Sequence, residues 1–172
     1  MMFDPTVFDN LKIAFENQLY DLDNLDNEIN IISRHDNMEM ATMSREFRLG
    51  FTMQDNADIT AEICLEASLK DLADEILEAP DTDPGCTLRV FFTMTVEDPE
   101  TECPIIESIL TKIWTPPSRP KQTLQYVFDN QQAHYQNTVE VHFDRKINEN
   151  QMEDIPSLID HILDSLEALM TE

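Results

Sequence analysis

Glycine is nearly missing from this chain: Gly50 and Gly85 are the only two in 172 residues. A phosphate-cradling loop and a dinucleotide fingerprint both need several glycines where backbone approaches phosphate, so neither can be written from this sequence. The same scarcity excludes Gly-x-Ser-x-Gly, and no serine sits in another local nucleophile signature. No catalytic motif is found, which leans the reading away from an enzyme.

Cysteine is also sparse. Cys64, Cys86 and Cys103 are odd in number, far apart and outside any Cys-x-x-Cys spacing. That argues against a disulfide framework and a zinc site, and for reduced thiols. His35, His134, His142 and His161 form neither His-x-His nor His-Glu-x-x-His, so no transition-metal site is visible. The clustered Asp21, Asp23, Asp26 and Glu28 invite calcium, but an EF-hand starting at Asp21 needs glycine at its sixth place and glutamate at its twelfth. Those places hold Asp26 and Ile32, and a loop starting at Asp81 ends on Phe92, so both read as solvated acidic loops. No metal or other cofactor is expected.

Long apolar runs are absent too, and Met1-Met2-Phe3-Asp4-Pro5 lacks the basic, then greasy layout of a secretory signal. A cytoplasmic protein without a membrane span is the expectation. Positive charge is the last shortage: 11 basic residues stand against 35 acidic ones, a formal charge of -24 spread through both halves. Such a field repels phosphate backbones and anionic lipid, so direct binding to nucleic acid or a membrane surface is disfavoured and cationic partners are favoured. Adaptation to salty or alkaline surroundings explains the acid excess equally well.

What is present suffices for a core, since hydrophobic residues make up 41% of the chain. A single domain over 1–172 is expected. Asp4 and Pro5 suit the start of a helix carrying Phe8, Leu11, Phe15 and Leu19 on one face and ending near Tyr20. Turn-forming residues 21–27 then lead to a short strand, 28–32, and residues 35–43 are ambiguous. Phe47, Leu49, Phe51 and Met53 alternate with polar residues, as do Ile59, Ala61, Ile63 and Leu65, and Gln54-Asp55-Asn56 joins the two runs as a hairpin.

Ser68 caps a second helix with Leu69, Leu72, Ile76 and Leu77 inward and Asp71, Asp74, Glu75 and Glu78 outward, closed by Pro80 and Asp83-Pro84-Gly85. Leu88, Val90, Phe92, Met94 and Val96 mark another strand, with Phe91 on its otherwise polar side. Pro104 starts a third helix, using Ile105, Ile106, Ile109, Leu110 and Ile113, and residues 114–120 end it as a rigid connector. Leu124, Tyr126 and Phe128, then Val139, Val141 and Phe143, read as a second hairpin around a turn at 129–137. The last helix, about 150–170, turns Ile155, Leu158, Ile159, Ile162, Leu163, Leu166 and Leu169 to a core, with Glu153, Asp160, Asp164 and Glu167 on the far side. Alternating strands argue for α+β: an antiparallel or mixed sheet of five to six strands, with about four helices packed on one face.

Helices on one face leave the other open. Alternation puts His142 on that polar face beside Glu140, where Arg48, Glu62, Arg89 or Gln125 from neighbouring strands would meet it. Arg48, Glu62, Arg89 and His142 are the candidate ligand-binding set, and an ordinary solvated sheet face is the plainer account of the same residues. Pro117-Ser118-Arg119-Pro120 fits a Pro-x-x-Pro recognition motif but equally a stiff loop, and Trp114 beside it reads as a core anchor.

The opening Phe3-Asp4-Pro5-Thr6-Val7-Phe8-Asp9-Asn10-Leu11-Lys12, with Tyr20-Asp21-Leu22-Asp23 and Glu102-Cys103-Pro104, resembles small uncharacterised cytosolic proteins of bacilli and their relatives. The resemblance covers the first quarter of the chain plus scattered positions. It implies a Gram-positive bacterial source and transfers no activity or site residue.

Three functional readings follow. The leading one is a non-enzymatic interaction or regulatory protein presenting an acidic surface to a cationic protein partner, with a homodimer in view. The second is a small ligand-binding domain or enzyme with its site on the polar sheet face. The third is an acidic mimic of DNA, in which the carboxylate stripes of the second and last helices stand in for phosphates.

Overall fold

The computed structural model describes residues 6–78, 85–114, 120–129 and 134–171. Four helices, α1 (Thr6–Asn24), α2 (Leu69–Leu77), α3 (Pro99–Ile113) and α4 (Ile155–Met170), accompany six strands. These are β1 (Ile29–Glu39), β2 (Ser44–Met53), β3 (Asn56–Ala67), β4 (Thr87–Val96), β5 (Lys121–Gln125) and β6 (Tyr135–His142). They form one sheet in the order β1-β2-β3-β4-β6-β5, with every neighbouring pair antiparallel. The α+β class and the strand count are as the alternation predicts.

α1, α4 and α3 pack on the sheet, α1 against β1 and β3, α4 against β3, and α3 against β4. The core between them holds Phe8, Phe15, Phe47, Phe51 and Phe92, all fully buried. Each such side chain contributes about 1.5–3 kcal/mol relative to exposure, and this stripe-to-face burial holds the two layers together. Asp4 and Pro5, the expected start of α1, lie outside the described residues, as do most of the connector at 115–119 and the turn at 79–84.

α1 runs one turn past Tyr20, because Leu22 still packs on the core and the Asp23 carboxylate accepts the Ile31 N–H of β1 at 2.9 Å. β1 is much longer than 28–32 and takes in most of the ambiguous segment. Beyond Ile31 its helix-facing positions hold ions instead of apolar groups: Arg34 meets Glu16 of α1 at 3.0 Å, and Asp36 meets Lys12 of α1 at 2.7 Å and Arg45 at 2.9 Å. A strand that packs through ion pairs shows no hydrophobic alternation, so periodicity alone missed it.

The Ser68 capping box of α2 is present, but only part of the expected inward face is buried. Leu72 and Asp71 are buried, whereas Leu69, Ile76 and Leu77 are exposed. Asp71 turns inward because its carboxylate completes the cap on Ser68 and takes the Lys146 ammonium, which arrives from the loop after β6. That loop is also fastened by a two-hydrogen-bond bridge between Cys86 and Ile147. Gly85 is required beside the bridge, since a Cβ there would lie 2.6 Å from the Ile147 carbonyl oxygen.

α3 begins at Pro99 rather than Pro104, which sits inside the helix. The Glu102 carboxylate reaches back to accept the N–H groups of Glu97 and Asp98 at 2.8 and 2.6 Å and so secures the earlier start. Ile106 and Leu110 are buried as expected, but Ile105 is exposed. β5 stops at Gln125, so Tyr126, Val127 and Phe128 lie past the last ladder pair and are exposed, contrary to the strand read through them. A 3-10 turn, Glu149–Asp154, precedes α4, whose Ile155, Ile159, Ile162, Leu166 and Leu169 are buried.

Candidate functional site

The face of the sheet away from the helices carries a row of side chains set by strand register. His35 of β1 pairs with Arg48 of β2, Arg48 with Cys64 of β3, Cys64 with Arg89 of β4, and Arg89 with His142 of β6. Cross-strand partners share a face, so the row places two guanidinium groups on either side of one thiol. Two residues along, on the same face, Glu62, Phe91 and Glu140 form a parallel row, and two residues the other way Glu46 and Glu66 face each other.

Each guanidinium of these rows is held between two carboxylates, so the four glutamates outnumber the two arginines. Arg48 donates to Glu46 at 2.9 Å and to Glu62 at 2.5 Å, and its guanidinium lies 5.4 Å from the centre of the Phe91 ring. Arg89 reaches Glu66 at 3.2 Å and Glu140 at 3.9 Å. Burial works against the charge on Arg48, but Glu46 and Glu62 outweigh it and hold the guanidinium firmly protonated. The thiol of Cys64 is fully buried although it faces the open side, and it donates to Glu66. Burial pushes this thiol up to about 12, with Arg48 opposing the shift, so it is no nucleophile at neutral pH.

Of the four candidate residues, Arg48 and Glu62 are in direct contact, Arg89 lies beyond Cys64 from Arg48, and His142 ends the row, exposed. Gln125 is not brought to them: it pairs with Gln136 at the far end of β6. Glu140, read beside His142 from the alternation, belongs to the constellation, as do Glu46, Cys64 and Glu66, which were not among the candidates. Their signal was present in part, because alternation puts Cys64 and Glu66 on the polar side of β3. Glu46, Cys64 and Glu66 also bring potential metal-ligating atoms within 4.8 Å of one another. A cation there would compete with Arg48 and Arg89, which already hold those carboxylates.

A second feature lies where β3 begins and β4 ends. There a groove of about 470 Å³ opens between the end of β4, one face of α3 and the last turn of α4. It continues around Met94 and Thr95 into a shallower hollow on the open face, next to Tyr126 and Tyr135. No helix among the described residues is long and apolar enough to cross a membrane. No family model, no curated protein and no solved structure matches this chain.

Proposed function

We propose that this protein is a non-enzymatic interaction or regulatory domain that presents an acidic surface to a cationic protein partner. The observation that carries this reading is where its few cations go. Lys12, Arg34, Arg45, Arg48, Lys70, Arg89 and Lys146, seven of the eleven basic residues, pair with carboxylates of the same chain. The excess carboxylates are left on the surface. From Asn148 onward the chain has no lysine or arginine, and α4 exposes Asp160, Asp164 and Glu167 along its outer side. A surface of one sign raises the encounter rate with an oppositely charged partner and rejects anionic ones.

The sheet-face ligand reading draws less support, because Arg48 and Arg89 are both spent on intramolecular carboxylates and offer no free cation to an anionic ligand. Mimicry of DNA is the special case in which the cationic partner is a nucleic-acid-binding protein. The test is recovery of partners from a bacterial lysate on immobilised protein at low and at high salt, beside an acidic protein matched in charge. A partner specific to this chain and lost in salt is expected, since exposed charges are screened within about 8 Å at physiological ionic strength. A partner retained in high salt would remove the electrostatic basis, and light scattering of the free protein would register a homodimer.

A further inference from the structure

The groove at the end of β4 combines apolar walls with an acidic rim. Glu102, Ile105, Ile106 and Ile109 of α3 stand at helical spacing along one wall, and Met94 and Val96 of β4 face them. Ile105 is 41% exposed and Ile109 half-buried, so apolar surface is left open to solvent there. The rim holds Asp58, Glu97 and Glu102, and among the described lining residues there is no lysine, arginine or histidine.

We propose that this groove docks an amphipathic cationic segment of a partner protein, its apolar side on Ile105 and Ile109 and its lysines or arginines against Asp58, Glu97 and Glu102. The proposal rests on the acidic-interaction reading above and gives it a location. Charge complementarity selects the occupant. A nucleic acid or an acidic peptide meets like charge at the rim, and a second copy of this chain brings the same carboxylates and a charge of -24. Helix-in-groove recognition of this kind uses apolar anchors at helical spacing for affinity and flanking charges for selection.

The test uses the whole protein with labelled isoleucine methyl groups and a synthetic leucine–lysine peptide whose leucines fall at helical spacing. A leucine–glutamate peptide of the same pattern and a scrambled leucine–lysine peptide serve as controls. Binding of the patterned lysine peptide is expected to shift the methyl signals of Ile59, Ile105, Ile106 and Ile109 and to leave Ile13 and Ile32 in place. Ile105→Asp separates docking from simple attraction, because it adds an anion while removing an anchor. Docking predicts weakening by roughly tenfold or more, the value of one buried aliphatic side chain, whereas attraction alone predicts equal or tighter binding. The methyl map of the unchanged protein needs no variant, and Ile105→Thr stands in if the aspartate disturbs α3. Salt-sensitive binding that shifts signals elsewhere, or that tightens in Ile105→Asp, would overturn the groove and leave the acidic-surface reading intact. No binding of either lysine peptide at low salt would overturn both.

Discussion

Trp114 donates its indole N–H to the Ser165 hydroxyl at 2.9 Å, and this buried bond ties the end of α3 to the middle of α4. Ser165 in turn donates its O–H to the His161 carbonyl at 2.7 Å, so both groups are satisfied without water. The indole also meets the Phe143 ring edge-on at 5.8 Å, which fixes its plane. Ser165→Ala therefore leaves a buried N–H without an acceptor, and a loss of about 1–3 kcal/mol of folding stability is expected in urea or thermal unfolding. In a Trp114→Phe background the same serine change is expected to cost far less, because no donor remains. Equal costs in both backgrounds would mean that the hydroxyl serves only its bond to His161.

The contrast between that anchor and the open sheet face shows which parts of the fold were legible. Trp114 beside a proline-rich segment, and the stripes of α1 and α4, pointed inward because apolar periodicity records burial directly. Phe47, Leu49, Phe51 and Met53 did the same for β2. Legibility failed where charged groups take packing positions, as the half-buried Asp36 does beside α1 and the buried Asp71 does at the head of α2. It failed again at register. Counting back one-for-one from Met53 opposite Asn56 sets Arg48 against Ala61, a polar-face residue against a core-face one, which cross-strand partners cannot be. The irregularity between Phe51 and Met53 resolves the conflict and slides Arg48 opposite Cys64. With Gln54-Asp55-Asn56 read as the turn, the same count sets Arg48 against Glu62, which alternation allows, so nothing in the pattern signalled the shift, and the pairings of Cys64 with Arg89 and of Arg89 with His142 span connections too long to count across.

Acid should find two aspartates first, the buried Asp71 and the half-buried Asp36. Burial pushes the Asp71 carboxyl up, but hydrogen bonds from Lys146 and Ser68 outweigh it and hold the group below its ordinary value. Asp36 is lowered in the same way, burial being overcome by Lys12 and Arg45. A carboxyl depressed by folding adds stability that is fully present above its unfolded value, near 3.8 for both. That stability is lost as pH falls through the lower folded value. Asp71→Asn and Asp36→Asn are each expected to lower stability at neutral pH and to flatten its decline below about pH 4, the unfolded aspartate value. Urea unfolding across that range checks this, and an unchanged slope in Asp71→Asn would show that the Lys146 contact contributes nothing to the folded state.

Arg48 offers the sharpest separation between a structural ion-pair ladder and a face kept ready for a ligand. It holds Glu46 and Glu62, lies over Phe91 and flanks the buried thiol of Cys64. If the ladder is structural, Arg48→Ala leaves Glu46 and Glu62 without the cation they share, and a loss of about 1–2 kcal/mol is expected, shrinking as salt is raised. Arg48→Lys should recover only part of it, since an ammonium lacks the planar fork that spans two carboxylates and stacks on a ring. Thiol labelling gives an independent reading. In the native protein Cys103, which is half-buried, should react before Cys64 and Cys86, both buried with their thiols pushed up to about 12. Removing Arg48 should expose Cys64 to the reagent without unfolding the domain. A neutral Arg48→Ala whose Cys64 stays protected would mean that the guanidinium supports neither the charge balance nor the cover of this face. Arg48 would then be an arginine held for something outside the chain, and the sheet-face ligand reading would regain the ground that its ion pairs now deny it.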